Sequence, residues 1–187
     1  MTGPIYLDYN GTTPVESAVL EGMLPYLRGE FGNPSSTTPL GARAKAAIDH
    51  ARAEVAALIG AAEDEITFTS GGTEASNQAI IGLAALAPAG RRTIVTSAVE
   101  HPATDQPLKR LGNEFSILRI PVAGNGVLRA DDARKAIDAE TAFVTLIHAQ
   151  NETGVLQPVA EVAAVAKRAG TPVHIDASQS LGKVPVD

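Results

Sequence analysis

A few residues of this sequence have types and spacing that could do chemistry. The stretch Ser70-Gly71-Gly72-Thr73-Glu74-Ala75-Ser76-Asn77 follows a β-branched and aromatic run, Glu65-Ile66-Thr67-Phe68-Thr69. Apolar residues then recur at Ala75, Ala79, Leu83 and Leu86, a helical spacing. The pattern predicts a strand, a tight glycine turn and a helix N-terminus. The first N–H groups of such a helix have no partner inside it, and its dipole adds partial positive charge there. Gly72 would let a ligand approach the backbone and Thr73 adds a hydroxyl, so an anion, above all a phosphate, could sit there. Taken alone, the stretch also reads as a turn with Thr73 as an ordinary N-cap.

Other candidates follow later apolar runs. Asp176 could hold a cationic nitrogen, His101 could stack on a flat ring, and Asn151 and Gln179 could hydrogen-bond a ring oxygen. Each has a plainer reading too. Asp176 could cap a turn, His101 could be a helix-start or surface histidine, and Asn151 and Gln179 could be turn residues. His148 and His174 read as packed core histidines, and His50 as solvated.

The elements that must position these residues are legible as alternation. Predicted strands at Ile66–Ser70, Thr93–Ser97, Phe115–Ile120, Ala142–His148 and Pro172–Asp176 alternate with helices. The helices are expected over Thr73–Leu86, from Pro102 to about Gly112, from Asp131, and over Pro158–Ala169. The pattern predicts an α/β fold with a mostly parallel sheet covered on both faces. Two helices precede it. One starts near Pro14 with Leu20, Leu24 and Leu27 on its apolar side, and Pro25 is expected to kink or end it. The other covers Gly41–Ile59 with a stripe of Ala44, Ile48, Ala51, Val55 and Leu58, closed by Gly60. Pro4 to Asp8 reads as an extended arm. In open α/β sheets ligands bind beyond the carboxyl ends of the strands. Gly72, Thr73, His101, Asn151, Asp176 and Gln179 all fall at such ends.

Composition narrows the chemistry. The 187 residues are 44% hydrophobic and 19% charged, an ordinary globular balance. The net charge of -6 argues against a nucleic-acid partner, which demands clustered Lys and Arg. Cysteine is absent, so no disulfide, thiolate metal site or cysteine nucleophile lies within these residues. The histidines have no metal-ligand spacing, no apolar run would span a bilayer, and Met1-Thr2-Gly3-Pro4 does not open a signal peptide. A cytoplasmic protein with no membrane partner is the expectation. Neither a dinucleotide fingerprint nor a Walker A pattern is present. A phosphate cradle, a ring stacker, a carboxylate for a ring nitrogen and two amides together suit pyridoxal 5'-phosphate.

Several stretches in order carry a resemblance. They are Ile5-Tyr6-Leu7-Asp8-Tyr9 with Thr12-Thr13-Pro14, Phe31-Gly32-Asn33-Pro34-Ser35-Ser36, and Phe68-Thr69-Ser70-Gly71-Gly72-Thr73-Glu74. Glu100-His101, Asn151-Glu152-Thr153-Gly154 and His174-Ile175-Asp176-Ala177-Ser178-Gln179-Ser180 complete the set. The chain resembles the pyridoxal-phosphate-dependent cysteine desulfurases of the class V aminotransferase group, along its whole length. The resemblance implies a three-layer α/β sandwich, the large domain of the type I fold, present here in part. Residues 1–14 would be an N-terminal arm and 15–187 a partial cofactor-binding large domain.

The resemblance also implies roles. Gly72 and Thr73 would bind the cofactor phosphate, and His101, the catalytic candidate, would stack on the ring. Asp176 would pair with the ring nitrogen, while Asn151 and Gln179 would hold the phenolic oxygen side. Cysteine, or a similar amino acid, would give up its sulfur to an enzyme cysteine and leave as alanine. A sulfur-acceptor protein and a homodimer would be partners, and iron–sulfur cluster assembly a setting. Selenocysteine lyases and class V aminotransferases share most of these motifs. Gly11, Thr38, Ala75, Ser76 and Gln150 depart from residues common in relatives.

The Schiff-base lysine and the persulfide cysteine are expected beyond Asp187. Of the five lysines, Lys45, Lys109, Lys135 and Lys167 read as solvated, and Lys183 does not match the Schiff-base position. By the same resemblance, the strand at Ile66–Ser70 would neighbour a strand from beyond Asp187. It would therefore not join the other four in one sheet. The ending Val184-Pro185-Val186-Asp187, without a closing helix, likewise reads as part of a larger domain.

Overall fold

The computed structural model describes residues 3–185, so the readings placed on Met1, Thr2, Val186 and Asp187 lie outside the described residues. Contacts divide the chain into two units. One holds residues 3–11 and Thr69–Pro185, the other Thr12–Phe68.

The first unit is a parallel sheet between helices. Its strands are β1 (Thr93–Ser97), β2 (Ser116–Ile120), β3 (Thr141–Ile147) and β4 (Val173–Asp176). Their order is β2-β1-β3-β4 and every pairing is parallel. Its helices are α3 (Gly72–Ala85), α4 (Pro102–Leu111), α5 (Ala130–Ala136) and α6 (Val159–Arg168). The predicted α/β class with a parallel sheet is what forms.

Alternation along the strands explains the two-sided core. Ile94 and Phe143 face one side with Ile80, Ala84 and Leu108 from α3 and α4. Val95, Val144 and Leu146 face the other with Ala133 of α5 and Val162, Val165 and Ala166 of α6. β3 is central and buried along its length. Phe143 is wholly buried, and replacing it by Ala would cost about 3–5 kcal/mol. Nearer the carboxyl ends the α3 side becomes polar. Thr96, Thr145 and His174 stand in register across β1, β3 and β4, followed by Ile147 beside Asp176.

The second unit holds α1 (Ser17–Arg28), α2 (Pro39–Ile59) and a 3-10 turn at Glu63–Glu65. Thr38 caps α2 by accepting from the Gly41 N–H, and Gly60 ends it in the left-handed region at φ 66°. Arg52 stacks over Phe68, 5.0 Å from its centroid. Pro25 lies inside α1, which runs three residues further before Gly29 ends it. The missing Pro25 N–H removes one helical bond, too little to stop the last turn. The predicted apolar side of α1 is not buried, with Leu20 and Leu27 exposed.

The segment Ile66–Ser70 does not join the other four strands, as expected, and it forms no strand of its own among the described residues. The backbone runs extended at Ile66, but the segment joins no ladder among the described residues. β-branched residues favour extended backbone, whereas a strand also needs a neighbour for its N–H and C=O groups.

Candidate functional site

α3 begins at the glycine turn. Gly71 adopts φ 156° and ψ 179°, a region essentially restricted to glycine. Glu74 reaches back to accept a 2.8 Å bond from the Ser70 N–H and another from the Ser70 hydroxyl, which locks the turn. The Ser70 hydroxyl, then its N–H, hold the Glu74 carboxyl below its ordinary value. No side chain caps α3, whereas Thr38 caps α2 and His101 caps α4. A Cβ on Gly72 would come 2.6 Å from the Ser178 hydroxyl. The glycine is therefore needed for close approach, and Thr73 is not the helix's cap.

His101 both caps and faces the site. Its Nδ1 accepts from the Ala103 N–H at 3.1 Å, which fixes the ring and leaves the proton of the neutral imidazole on Nε2. Asn77 donates to the Thr73 carbonyl at 2.8 Å and the Ala103 carbonyl at 3.1 Å, tying the starts of α3 and α4 together.

Asp176 ends β4 and is buried. One carboxylate oxygen accepts from the Ser178 N–H at 3.0 Å, and no ion pair reaches Asp176 among the described residues. His174, two residues earlier, shares a 2.8 Å hydrogen bond with the Thr145 hydroxyl. Burial lowers the His174 pKa, opposed by the charge of Asp176. His174 is thus a satisfied core histidine, as the sequence suggests.

Asn151 projects from a turn built by Gln150, whose side-chain oxygen accepts from the N–H groups of Glu152 and Thr153, each at 2.7 Å. Gly154 completes that turn at φ 72°. Gln179 donates to the Gly11 carbonyl at 3.2 Å and accepts from Lys183 at 2.7 Å.

These residues meet in one cavity of about 230 Å³. Gly72, Thr73, His101, Asn151, Asp176 and Gln179 all line it. No lysine does, and Lys183 is engaged by Gln179 and the Tyr9 carbonyl. Gly11 and Ser178, which the sequence does not mark as ligand-binding, also line the cavity. Ser178 was legible as the residue two beyond a strand-end aspartate. Gly11 carries no local sign of a site role, because the path of the N-terminal segment brings it there, where its carbonyl accepts from Gln179.

Glu100 precedes His101 in the chain. One of its oxygens accepts from the Ser97 hydroxyl and, at 3.0 Å, from the Ile147 N–H, so it bridges the ends of β1 and β3. The other oxygen is buried without a partner. Burial pushes its pKa up to about 7, with Asp176 adding to the rise and the hydrogen bonds from Ser97 and Ile147 opposing it.

A profile of the family described as aminotransferase class-V matches residues 5–187. The chain belongs to the class-V aminotransferase family. Its similarity to curated relatives runs along the whole chain. It is 44% identical to the cysteine desulfurase IscS of Dictyoglomus turgidum over 100% of this chain and 48% of the relative. It is 47% identical to a cysteine desulfurase of Sinorhizobium fredii over 98% of this chain and 48% of the relative. A solved NifS-like protein superposes with a TM-score of 0.92 at 36% identity, covering 98% of this chain and 51% of that one. The chain therefore spans about half the length of the curated relatives it matches. Pyridoxal 5'-phosphate is the cofactor of this family.

The residues fit that cofactor. An uncapped helix start with a glycine face suits its phosphate. A buried carboxylate without an ion pair suits a ring cation, and a ring-bearing side chain held by its own cap suits stacking. Among the described residues no helix is long and apolar enough to cross a membrane, and no cluster of metal-ligating side chains forms.

Proposed function

We propose that this chain supplies the pyridoxal-phosphate-binding part of an enzyme that removes sulfur from cysteine. The observation that carries the reading is the convergence of Gly72, Thr73, His101, Asn151, Asp176 and Gln179 on one cavity. Bound there, the cofactor would act as an electron sink for the substrate's carbon framework. The α3 start would hold its phosphate through the backbone N–H groups and Thr73. Asp176 would keep the ring nitrogen protonated, because an opposite charge within a few ångströms favours the charged form. His101 would cover one ring face, its orientation fixed through Nδ1. Asn151 and the second Gln179 N–H would bind the ring's oxygen.

Cysteine as substrate is supported by the relatives named cysteine desulfurase and by a similar solved structure described as SspA in complex with cysteine. Residues 15–187 would then be part of a large domain reached by an arm at 1–14. A sulfur-acceptor protein, a homodimeric assembly and a cytoplasmic setting belong to the same proposal. The Schiff-base lysine and the persulfide cysteine would come from outside these residues.

Absorbance titration with pyridoxal 5'-phosphate tests the reading. We expect saturable binding, weakened at least about tenfold by Asp176→Ala through loss of a buried charge pair. Equal affinity in the wild type and Asp176→Ala would overturn it. Alanine release from cysteine by the full-length protein tests the substrate.

A further inference from the structure

The site described so far makes no use of Glu100, although that residue joins its two halves. The Glu100 oxygen that bonds the Ser97 hydroxyl and the Ile147 N–H connects the ends of two strands, although Ile147 lies 47 residues beyond Glu100 in sequence. Ser97 in turn accepts from the Val99 N–H at 3.2 Å, closing the short turn that leads to His101. From Ile147 the chain continues through Ala149 to Asn151, and both Ile147 and Ala149 line the cavity. Ile147 also stands in register with Asp176 on β4. One carboxylate oxygen therefore sets the spacing between the His101 turn on one side and the Ile147–Asn151 segment and Asp176 on the other. Its second oxygen is buried and unpartnered, a costly state that mere bracing of two strands does not require.

We infer that Glu100 is a positioning residue for the cofactor, one that fixes the placement of the His101 turn relative to Ile147 and Asp176 and adjusts the charge beside Asp176. The inference rests on the pyridoxal phosphate reading above. The charged group felt by Glu100 is Asp176 on β4, while its partners Ser97 and Ile147 are neutral. His101, next in the chain, turns Nδ1 toward α4, and His174 on β4, whose pKa burial lowers, is bonded to Thr145. A ring cation paired with Asp176 would cancel the negative charge that helps to hold Glu100 protonated. Binding would then be linked to release of the Glu100 proton. Affinity should rise as pH increases toward about 7 and then level, beyond whatever the ligand's own ionisations contribute.

Equilibrium dialysis of pyridoxal 5'-phosphate against the wild type, Glu100→Ala, Glu100→Gln and Asp176→Ala, from pH 5.5 to 8.5, tests this. Glu100→Ala strands the Ile147 N–H and the Ser97 hydroxyl and should raise Kd roughly tenfold. Glu100→Gln keeps an oxygen for both donors and should bind like the wild type at pH 5.5. As pH rises through about 7 the wild type should bind progressively tighter than Glu100→Gln. The inference is overturned if Glu100→Ala binds like the wild type while Asp176→Ala does not. Where Glu100→Ala fails to fold, Glu100→Gln decides, and a wild-type to Gln ratio that stays constant with pH overturns the inference. Unchanged binding in Asp176→Ala would remove the cofactor reading itself, and this inference with it.

Discussion

The two ends of the parallel sheet treat their polar groups differently. At the amino ends, Arg91 donates to the Thr141 carbonyl at 3.2 Å, the Gly170 carbonyl at 3.0 Å and the Thr171 hydroxyl at 3.3 Å. It reaches the Ala169 carbonyl at 3.4 Å as well. Asp138 serves the Glu140 N–H and the Thr141 hydroxyl beside it. Toward the carboxyl ends, four buried side-chain atoms have no partner among the described residues: Thr96 Oγ1, Glu100 Oε2, Thr104 Oγ1 and His148 Nδ1. The uncapped start of α3 faces the same end. Buried polar groups are nearly always bonded, so the exceptions mark where structure yields to another demand. The amino end satisfies its polar groups, and the carboxyl end leaves some of them free, as the proposed ligand site would require.

The largest test of that contrast is Glu100→Gln. Folding raises the Glu100 pKa to about 7 from 4.5. Its protonated form thus contributes stability in full below about 4.5, and that contribution is lost as pH rises through about 7. Gln cannot ionise and keeps it. At pH 8 the variant should be more stable than the wild type by up to about 3 kcal/mol, at about 1.4 kcal/mol per pH unit, and the gap should shrink to about 1 kcal/mol near pH 5. His174 slopes the other way. Its lowered pKa means stability is lost as pH falls below its ordinary value of 6.5, in both proteins alike. Urea unfolding at the two pH values measures the difference. A gap independent of pH would mean that Glu100 does not ionise there.

Arg91→Ala should do the opposite at the other end. Several acceptors lose a charged donor together, at a cost of about 2 kcal/mol, partly relieved because water can reach Arg91. Cofactor affinity in the folded variant should match the wild type. A weakened affinity would show that the two ends are not independent.

How much of this was legible in the sequence depends on the range of the signal. Period-two runs and helical stripes are local, so β1 was located to the residue and the other strands and helices of the sheet to within a residue or two. Ile66–Ser70 carries the same local signal, yet a ladder depends on a neighbour that the segment itself does not encode. The six candidate residues that line the cavity were legible as a group because each follows a predicted strand or starts a helix at one sheet edge. Glu100 was not, because its decisive contact is with Ile147. Which of two threonines in one row is bonded is also a tertiary fact.

Gly72→Ala probes the cradle. The new Cβ would meet the Ser178 hydroxyl at 2.6 Å, so Ser178 must turn away or α3 must shift. A serine side chain turns at small cost, so stability should fall by only about 1 kcal/mol. If the start of α3 holds the cofactor phosphate as proposed, cofactor affinity should fall further, because Gly72 lines the cavity. Adding Ser178→Ala should restore the stability but not the affinity, as unfolding and dialysis on the same samples would show. Recovery of both would mean that the glycine serves packing alone.

The smallest effects come from one substitution made twice. Thr96 and Thr145 are paired in register on adjacent strands, and both are fully buried. The Thr96 hydroxyl has no partner, whereas the Thr145 hydroxyl shares a bond with His174 Nδ1. Valine has nearly the shape of threonine without the hydroxyl. Thr96→Val removes an unsatisfied polar group and should stabilise by about 1 kcal/mol. Thr145→Val leaves His174 Nδ1 without a partner in a buried layer and should destabilise by about 1 kcal/mol. Denaturant midpoints at pH 7.5 would resolve both. Opposite signs, from the same chemical change one strand apart, would place the boundary between bonded and unbonded polar groups inside this row of side chains. Equal signs would mean that the Thr96 hydroxyl finds a partner in solution, and that the carboxyl end is as fully bonded as the amino end.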